Sequence, residues 1–154
     1  MIITERITSD HELAPLVAEI NHASWDEAND MTAHAVEHLA TYLEHPDTVF
    51  VACHQIEGSE RTLLGIASGR LEIKPYDGER WLYVDEVDVC VDRRRKGAGR
   101  AIMKRLFEIA SEAGCVEVWL GTEVDNELAN ALYDSLDPTE REGFVGYAWD
   151  VSQN

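Results

Sequence analysis

The stretch that decides the fold is residues 87–110, VDVCVDRRRKGAGRAIMKRLFEIA. It begins as an apolar, strand-like run, continues as a basic loop with glycines at positions 97 and 99, and then repeats apolar residues at helical spacing. The start of a helix leaves backbone N–H groups without partners and carries a partial positive charge, and small residues let phosphate oxygens approach closely. The segment therefore predicts a strand, a phosphate-binding loop and a helix in direct succession.

Two common nucleotide-binding loops do not fit this segment. The dinucleotide fingerprint would need a third glycine where Ile102 stands, and the chain has no G-x-x-x-x-G-K-[ST] run for a triphosphate. The loop must therefore bind its phosphate groups in another way.

Working outward from this segment, the apolar pattern predicts ten elements. They are a strand at 2–7, a helix capped by Ser9 or Asp10 and reaching Asn21, a helix from Thr32 to just before Pro46, strands at 48–56, 63–73 and 81–91, a helix from Gly97 to Gly114, a strand at 115–121, a helix at 126–136 and a last strand at 144–151. The order β-α-α-β-β-β-α-β-α-β predicts an α/β (α+β) fold with a mixed sheet.

Length and composition predict one domain, spanning residues 1–154, because 45% of the residues are hydrophobic. No run approaches the roughly 20 apolar residues of a membrane span, and MIITERITSD does not resemble a signal peptide. We therefore expect a soluble, cytoplasmic protein. Cys53, Cys90 and Cys115 are few, widely spaced and set in apolar runs, which predicts reduced core thiols, with no disulfide framework and no metal site.

The net charge of −17 argues against binding to nucleic acid or to an anionic membrane and favours a cationic ligand. Adaptation to a salty interior is an alternative explanation, because the chain has three lysines against ten arginines. Seven of the 13 basic residues lie within positions 93–105, which predicts that an anion binds there.

Two motifs together resemble the GNAT superfamily of N-acetyltransferases. The first is R-x-x-G-x-G, here residues 94–99, RRKGAG, with Val89 five residues ahead of Arg94. The second is N-x-x-A-x-x-L-Y, here Asn126, Ala129, Leu132 and Tyr133. The resemblance covers residues 80–150 well. One departure is that Gly143-Phe144 lies ten residues after Tyr133, beyond the insertion-like SLDPTERE.

This resemblance implies the acyl-CoA N-acyltransferase fold, with acetyl-coenzyme A as cofactor. The backbone around Val89, Cys90 and Val91 would pair with the pantetheine arm as an added strand does. The pyrophosphate would then lie on the loop and the helix start, with Asn126 also near the cofactor. The residues implied for the loop are Arg94, Arg95, Lys96, Gly97, Ala98, Gly99 and Arg100.

Acetyl transfer requires a neutral amine, whereas an alkylamine with a pKa near about 10.4 is mostly protonated at neutral pH. A general base is therefore expected. The strand before the loop carries Asp85, Glu86 and Asp88, an unusual number of carboxylates for a buried strand. Glu86 and Asp88 share a face, and Glu86 is the favoured base, followed by Asp88. Tyr133 matches the family's general acid, which protonates the departing thiolate.

The acceptor is predicted to be a small cationic amine. YVDEVDV at 83–89 and ALYDSL at 131–136 resemble the aminoglycoside 3-N-acetyltransferase branch of the family, and the acidic composition suits aminoglycosides or polyamines. The acidic loop at 25–30 and the second helix lie where the family usually builds its acceptor wall, so Trp25, Asp26, Glu27 and Asp30 are the candidate contacts.

Other interpretations stay open at this point. His34 and His38 have helical spacing, but no third metal ligand is evident. The acceptor could instead be a peptide N-terminus or a lysine, and a non-catalytic acyl-coenzyme A sensor would keep the same cofactor motif. The resemblance also makes a homodimer an expectation, since members of the family often dimerise.

Overall fold

A computed structural model describes residues 1–152. Within residues 1–152, five strands and four α-helices follow one another in the order β1, α1, α2, β2, β3, β4, α3, β5, α4. Their bounds are β1 Ile2–Arg6, α1 Leu13–His22, α2 Val36–Glu44, β2 Thr48–Glu57, β3 Glu60–Ile73, β4 Arg80–Val89, α3 Ala98–Glu112, β5 Cys115–Trp119 and α4 Glu127–Asp134. Among residues 1–152, no helix is long and apolar enough to cross a membrane.

The five strands form one mixed sheet in the order β1-β2-β3-β4-β5. Neighbours from β1 to β4 are antiparallel, and β4 pairs with β5 in parallel. The parallel pair is joined through α3, since parallel neighbours need a crossover. The predicted mixed sheet is confirmed.

The chain divides into two compact units, residues 1–121 and the residues from Thr122 onward. The first contains the whole sheet and α1 to α3, and the second contains α4. The organisation as a single domain stays a prediction.

Helices cover both faces of the sheet. The α3 side chains Ile102, Leu106 and Ile109 are fully buried, and α3 packs on strands β1 to β5. On the other face, α1 and α2 build a core cluster with β2 and β3 in which Ile20 and Phe50 are nearly inaccessible. This α1/α2 face carries the candidate site.

Both N-terminal helices begin later than predicted. The first starts at Leu13 instead of after Ser9 or Asp10, because Thr8 and His11 close a turn in which the Thr8 amide donates to His11 Nδ1 at 3.0 Å. The second starts at Val36 and not at Thr32. There the Asn21 side chain bonds both backbone groups of His34, at 2.8 and 2.9 Å, which holds the preceding loop in a non-helical path.

The predicted last strand at 144–151 does not form. Its residues are exposed, including Tyr147 at 77% and Trp149 at 78%, and these two rings stack on each other at 6.0 Å. The alternation of apolar residues was genuine, but a strand also requires a hydrogen-bonded neighbour, which an alternating pattern does not specify.

A buried histidine joins α1 to the sheet. His54 is 1% exposed, its Nε2 lies 3.0 Å from Glu19 Oε2, and Arg61 faces its Nδ1 at 3.2 Å. Because arginine can only donate, Nδ1 accepts and Nε2–H donates to the glutamate. This neutral tautomer satisfies both nitrogens of a side chain that is costly to bury unpaired.

A β-bulge in β4 determines which side chains reach the α1/α2 face. Gly69 pairs with Val84 and Ser68 pairs with Glu86, so Asp85 is the extra residue. The Tyr42 hydroxyl from α2 donates toward the carbonyls of Gly69 and Val49, at 2.7 and 2.9 Å, and accepts from the Gly69 amide at 3.2 Å. Hydrogen bonds of the Tyr42 hydroxyl therefore connect α2 to the sheet beside the bulge.

Removing that hydroxyl should weaken the fold. We expect Tyr42→Phe to lower the free energy of unfolding by about 1–2 kcal/mol, because buried backbone groups lose their partner. Urea unfolding measures the loss. The matched control is Tyr76→Phe, since Tyr76 is 75% exposed and should change stability by less than about 0.5 kcal/mol. Equal effects in the two variants would contradict this role of Tyr42.

Candidate active site

Strand β4 brings two carboxylates to one face of the sheet. Glu86 lies opposite Ser68 and Asp88 lies opposite Ile66, in successive rows of the same antiparallel ladder. Opposed residues in such a ladder share a face, so both carboxylates point to the α1/α2 side. The predicted shared face is confirmed. Asp85, the bulged residue, bonds instead to Arg70 at 2.5 Å.

The two carboxylates have different surroundings. Glu86 is exposed, whereas Asp88 is only 6% exposed and accepts a hydrogen bond from Asn29 Nδ2 at 2.9 Å. Burial raises the pKa of Asp88 from its ordinary 3.8 to about 6, and the nearby Glu86 charge acts in the same direction. The Asn29 hydrogen bond opposes both effects. Asp88 therefore changes its charge state close to neutral pH.

Glu86 opens onto a recess of about 280 Å³. The recess lies between strands β2, β3 and β4 on one side and α2 with the segment leading into it on the other. Its lining residues are Thr32, Ala33, His34, Ala35, His38, Leu39, Tyr42, Phe50, Ile66, Ala67, Ser68 and Glu86. A carboxylate at the edge of a concave, largely apolar surface is the usual arrangement of a small-molecule site.

At its C-terminal end, β4 leads into the basic loop. A 3-10 turn at Val91–Arg93 follows the strand, and α3 starts at Ala98 with Gly97 as its N-cap at φ +86°. This left-handed conformation is one that glycine adopts without strain. No side chain caps this helix start, and the N-terminal end of an α-helix suits an external acceptor such as a phosphate oxygen.

The sheet opens beside this loop. Strand β5 pairs with β4 only over Arg80–Tyr83, so the half of β4 that carries Glu86 and Asp88 extends beyond its parallel neighbour. Cys90 donates its amide to the Leu64 carbonyl of β3, and alternate amides point the opposite way. The Val89 amide therefore points to the opened edge. The Val91 amide already donates to the Ser24 carbonyl at 2.8 Å.

The acidic loop docks on the same end of β4. Asp26 accepts from Arg94 at 2.9 Å and from the Ala28 amide at 3.0 Å, and Trp25 Nε1 donates to the Ile20 carbonyl at 2.9 Å. The arginine holds the pKa of Asp26 below its ordinary value. Trp25 and Asp26, two of the four predicted acceptor contacts, are thus already hydrogen-bonded within the protein.

The sequence profile of the Acetyltransferase (GNAT) family matches residues 14–137. The chain belongs to the GNAT family of acetyltransferases. Its strand β4, the glycine-capped start of α3 and the carboxylates beside them all lie inside the matched region. Among curated protein sequences, none matches this GNAT chain.

Solved structures share the GNAT fold over nearly the full chain. An aminoglycoside acetyltransferase from an uncultured soil metagenomic sample, in complex with trehalose, has a TM-score of 0.82 at 18% identity, covering 98% of this chain and 97% of its own. A second aminoglycoside acetyltransferase from such a sample has a TM-score of 0.77 at 21% identity, with 99% of each chain covered. A ribosomal-protein-alanine N-acetyltransferase from Brucella melitensis has a TM-score of 0.69 at 16% identity, covering 97% and 100%. At these identities the likeness establishes the fold.

The second GNAT motif extends from the N-cap of α4 to its last turn. Asn126 caps this helix by accepting from the Ala129 amide at 3.2 Å, and its own amide group donates to Thr122 Oγ1 at 3.2 Å. Tyr133 lies in the last turn of α4 and is half-buried. Asn126 is therefore a structural cap, and its predicted contact with the cofactor stays a prediction.

Sequence reasoning missed most of the recess in this GNAT protein. It named Glu86 and placed the acceptor wall in the acidic loop and the second helix. The individual contacts that it named lie in the loop, and they do not include Ser68, Phe50 or the residues of α2. Glu27 and Asp30 are exposed in that loop and do not line the recess. The sequence did contain one signal for the recess. His34 and His38 are four residues apart, and both line it, one from the segment before α2 and one from α2 itself.

Proposed function

We propose that this acetyltransferase moves an acetyl group from acetyl-coenzyme A to the primary amine of a small cationic molecule, such as an aminoglycoside or a polyamine. The observation that carries the proposal is that one strand, β4, leads from a carboxylate in a recess directly to a loop suited to phosphate. Donor and acceptor would thus be held on neighbouring parts of a single rigid element.

The chain's donor set fits acetyl-coenzyme A. The amides at the start of α3 suit its pyrophosphate, and Arg94, Arg95 and Lys96 supply positive charge beside them. Val89 would pair with the pantetheine arm along the opened edge of β4. Val91 could contribute through its carbonyl, since its amide is bonded to Ser24. When bound, the cofactor supplies an acetyl group activated as a thioester.

Glu86 is the proposed general base. Its carboxylate lines the recess and is exposed, so it can attract an ammonium group and accept one of its protons. Asp88, one row further along the strand, adds negative charge and is the second candidate. Tyr133 is the proposed acid for the leaving thiolate, supported by its place in the N-x-x-A-x-x-L-Y motif.

The size of the recess favours a small molecule over a polypeptide as acceptor. A peptide needs an extended groove, whereas about 280 Å³ accommodates a short chain or a single ring. Thiol release from acetyl-coenzyme A, measured with aminoglycosides, polyamines, amino acids and short peptides, tests this choice. Turnover confined to small amines supports the proposal. Turnover confined to peptides, or cofactor binding without any turnover, would contradict it.

The ion pair between Asp26 and Arg94 gives a test of the cofactor loop. We expect Asp26→Asn to tighten coenzyme A binding about two- to fivefold, because Arg94 would then be free for a phosphate group. Isothermal titration at low salt measures the dissociation constant, and the gain should shrink in 0.5 M salt. Asp47→Asn is the matched control, since Asp47 pairs with Arg80, a residue outside the loop. Unchanged or weaker binding in Asp26→Asn would contradict this role of Arg94.

A further inference from the structure

The recess beside Glu86 has an apolar floor. Phe50, Leu39 and Ile66 belong to the core cluster between the sheet and the two N-terminal helices, and each also lines the recess. Phe50 meets the rings of His34 and Tyr42 edge to face, with centroids 6.5 and 6.4 Å apart. The inner surface is therefore carbon-rich and held in place by packed aromatic rings.

Two of the polar groups around the recess are already used within the protein. The Tyr42 hydroxyl is bonded to the Val49 and Gly69 backbone, and His34 Nδ1 lies 3.1 Å from the Thr32 carbonyl. Among the lining residues, Glu86 supplies the one carboxylate. A ligand rich in hydroxyl groups would lose water over the apolar floor and would find few side chains to replace it, namely Thr32, His38 and Ser68.

Three other carboxylates near this end of β4 have partners of their own. Asp26 pairs with Arg94, Asp85 with Arg70, and Asp88 accepts from Asn29. A second ammonium group of a polycation would therefore have to lie outside the recess. The site is suited to one ammonium at Glu86 followed by uncharged, apolar atoms.

We infer that the acceptor carries its reactive primary amine on an apolar stem, alkyl or aryl, and that this stem occupies the recess between α2 and strands β2 to β4. The inference rests on the proposed acetyl transfer and narrows its acceptor class. Among small cationic amines it favours alkylamines and arylalkylamines over amino sugars, because their methylene or ring carbons match the apolar floor.

Thiol release from acetyl-coenzyme A tests the inference with propylamine, butylamine, pentylamine and 2-phenylethylamine against glucosamine and sisomicin. Each added methylene that enters the recess should raise kcat/KM about fourfold. Glucosamine should fall at least about tenfold below pentylamine, since its hydroxyl groups would lose water against the apolar floor and outnumber the polar side chains that line the recess. Equal or higher kcat/KM for glucosamine or sisomicin would overturn the stem inference while leaving acetyl transfer to small amines supported.

A variant that fills the recess provides the structural control. Ala33 is exposed at the rim and lines the recess, so Ala33→Trp should abolish the increase from propylamine to pentylamine and leave the coenzyme A dissociation constant unchanged. Ala14→Trp, on the exposed side of α1, should keep the increase. A chain-length increase that survives in Ala33→Trp would overturn this placement of the stem.

Calorimetric titration of the same amines into the coenzyme A complex separates the two proposals. If pentylamine binds more tightly than propylamine and Ala33→Trp removes the difference, the stem inference holds. Should no amine be acetylated in that case, only the proposal of acetyl transfer is wrong. If the wild-type protein shows no chain-length dependence in either binding or turnover, the stem inference is overturned.

Discussion

Replacing Glu86 with glutamine is expected to lower kcat/KM for a primary amine by about 10²-fold or more at pH 7.5. The variant keeps the size and polarity of the side chain but cannot accept a proton. At that pH only about one alkylamine molecule in a thousand is neutral, so without a base the reaction depends on this small fraction. The expected loss is in the range that a positioned general base contributes.

The pH dependence distinguishes a base from a structural residue. As pH rises toward 10, the neutral fraction of the amine grows, and the gap between Glu86→Gln and the wild-type enzyme should close. Asp85→Asn is the matched control, because it removes the adjacent carboxylate, which is bonded to Arg70 on the bulge. We expect that variant to stay within about threefold of wild type. A Glu86→Gln deficit that is constant across pH would exclude Glu86 as the base.

Asp88→Asn is expected to stabilise the folded protein at pH 8, by about 2 kcal/mol. Burial raises the pKa of Asp88 in the folded protein to about 6, above its ordinary 3.8, so the folded state binds this proton more tightly than the unfolded state. The Asp88 charge therefore lowers the free energy of unfolding by its full amount above pH 6, and this loss of stability disappears as the pH falls below about 4. A pKa shift of about two units limits the stability lost through this charge to about 3 kcal/mol.

Urea unfolding at pH 8 and at pH 4 measures this prediction. The advantage of Asp88→Asn should be present at pH 8 and absent at pH 4, and Asn29 can still donate to the new amide oxygen. Asp10→Asn, an exposed aspartate, serves as control and should be neutral at both values. If Asp88→Asn is no more stable than wild type at pH 8, the account of a costly buried charge is wrong.

The parts of the fold that were predictable from sequence depend on short-range signals. The segment around the basic loop was placed within one or two residues, because Gly97 ends the loop and apolar spacing marks the helix after it. The strands predicted at 48–56 and 63–73 also form, as β2 and β3, which pair with each other across a tight turn at Gly58. Local chemistry was sufficient in both places.

The parts that were missed depend on contacts across the chain. Nothing near Thr32 shows that the Asn21 side chain will capture the backbone of His34 and delay α2. The recess is formed where the non-helical segment before α2 meets the sheet, so its lining residues could not be predicted from the sequence. Trp25 is a similar case: its position in an acidic loop indicated a surface contact, but the ring packs against the core cluster.

The single extra residue in β4 has a further consequence, which concerns how this site tolerates changes in strand length. With Asp85 present, Glu86 and Asp88 share rows with Ser68 and Ile66. If Asp85 took a regular place opposite Ser68, Glu86 and Asp88 would stand opposite Ala67 and Gly65, on the side where a side chain at Gly65 would meet Ile102 of α3. The unpaired residue thus keeps both carboxylates off a closed apolar layer. Deleting Asp85 would remove the bulge and still leave Glu86 opposite Ser68, so this strand tolerates the loss of one residue but not a register in which the bulged residue is paired.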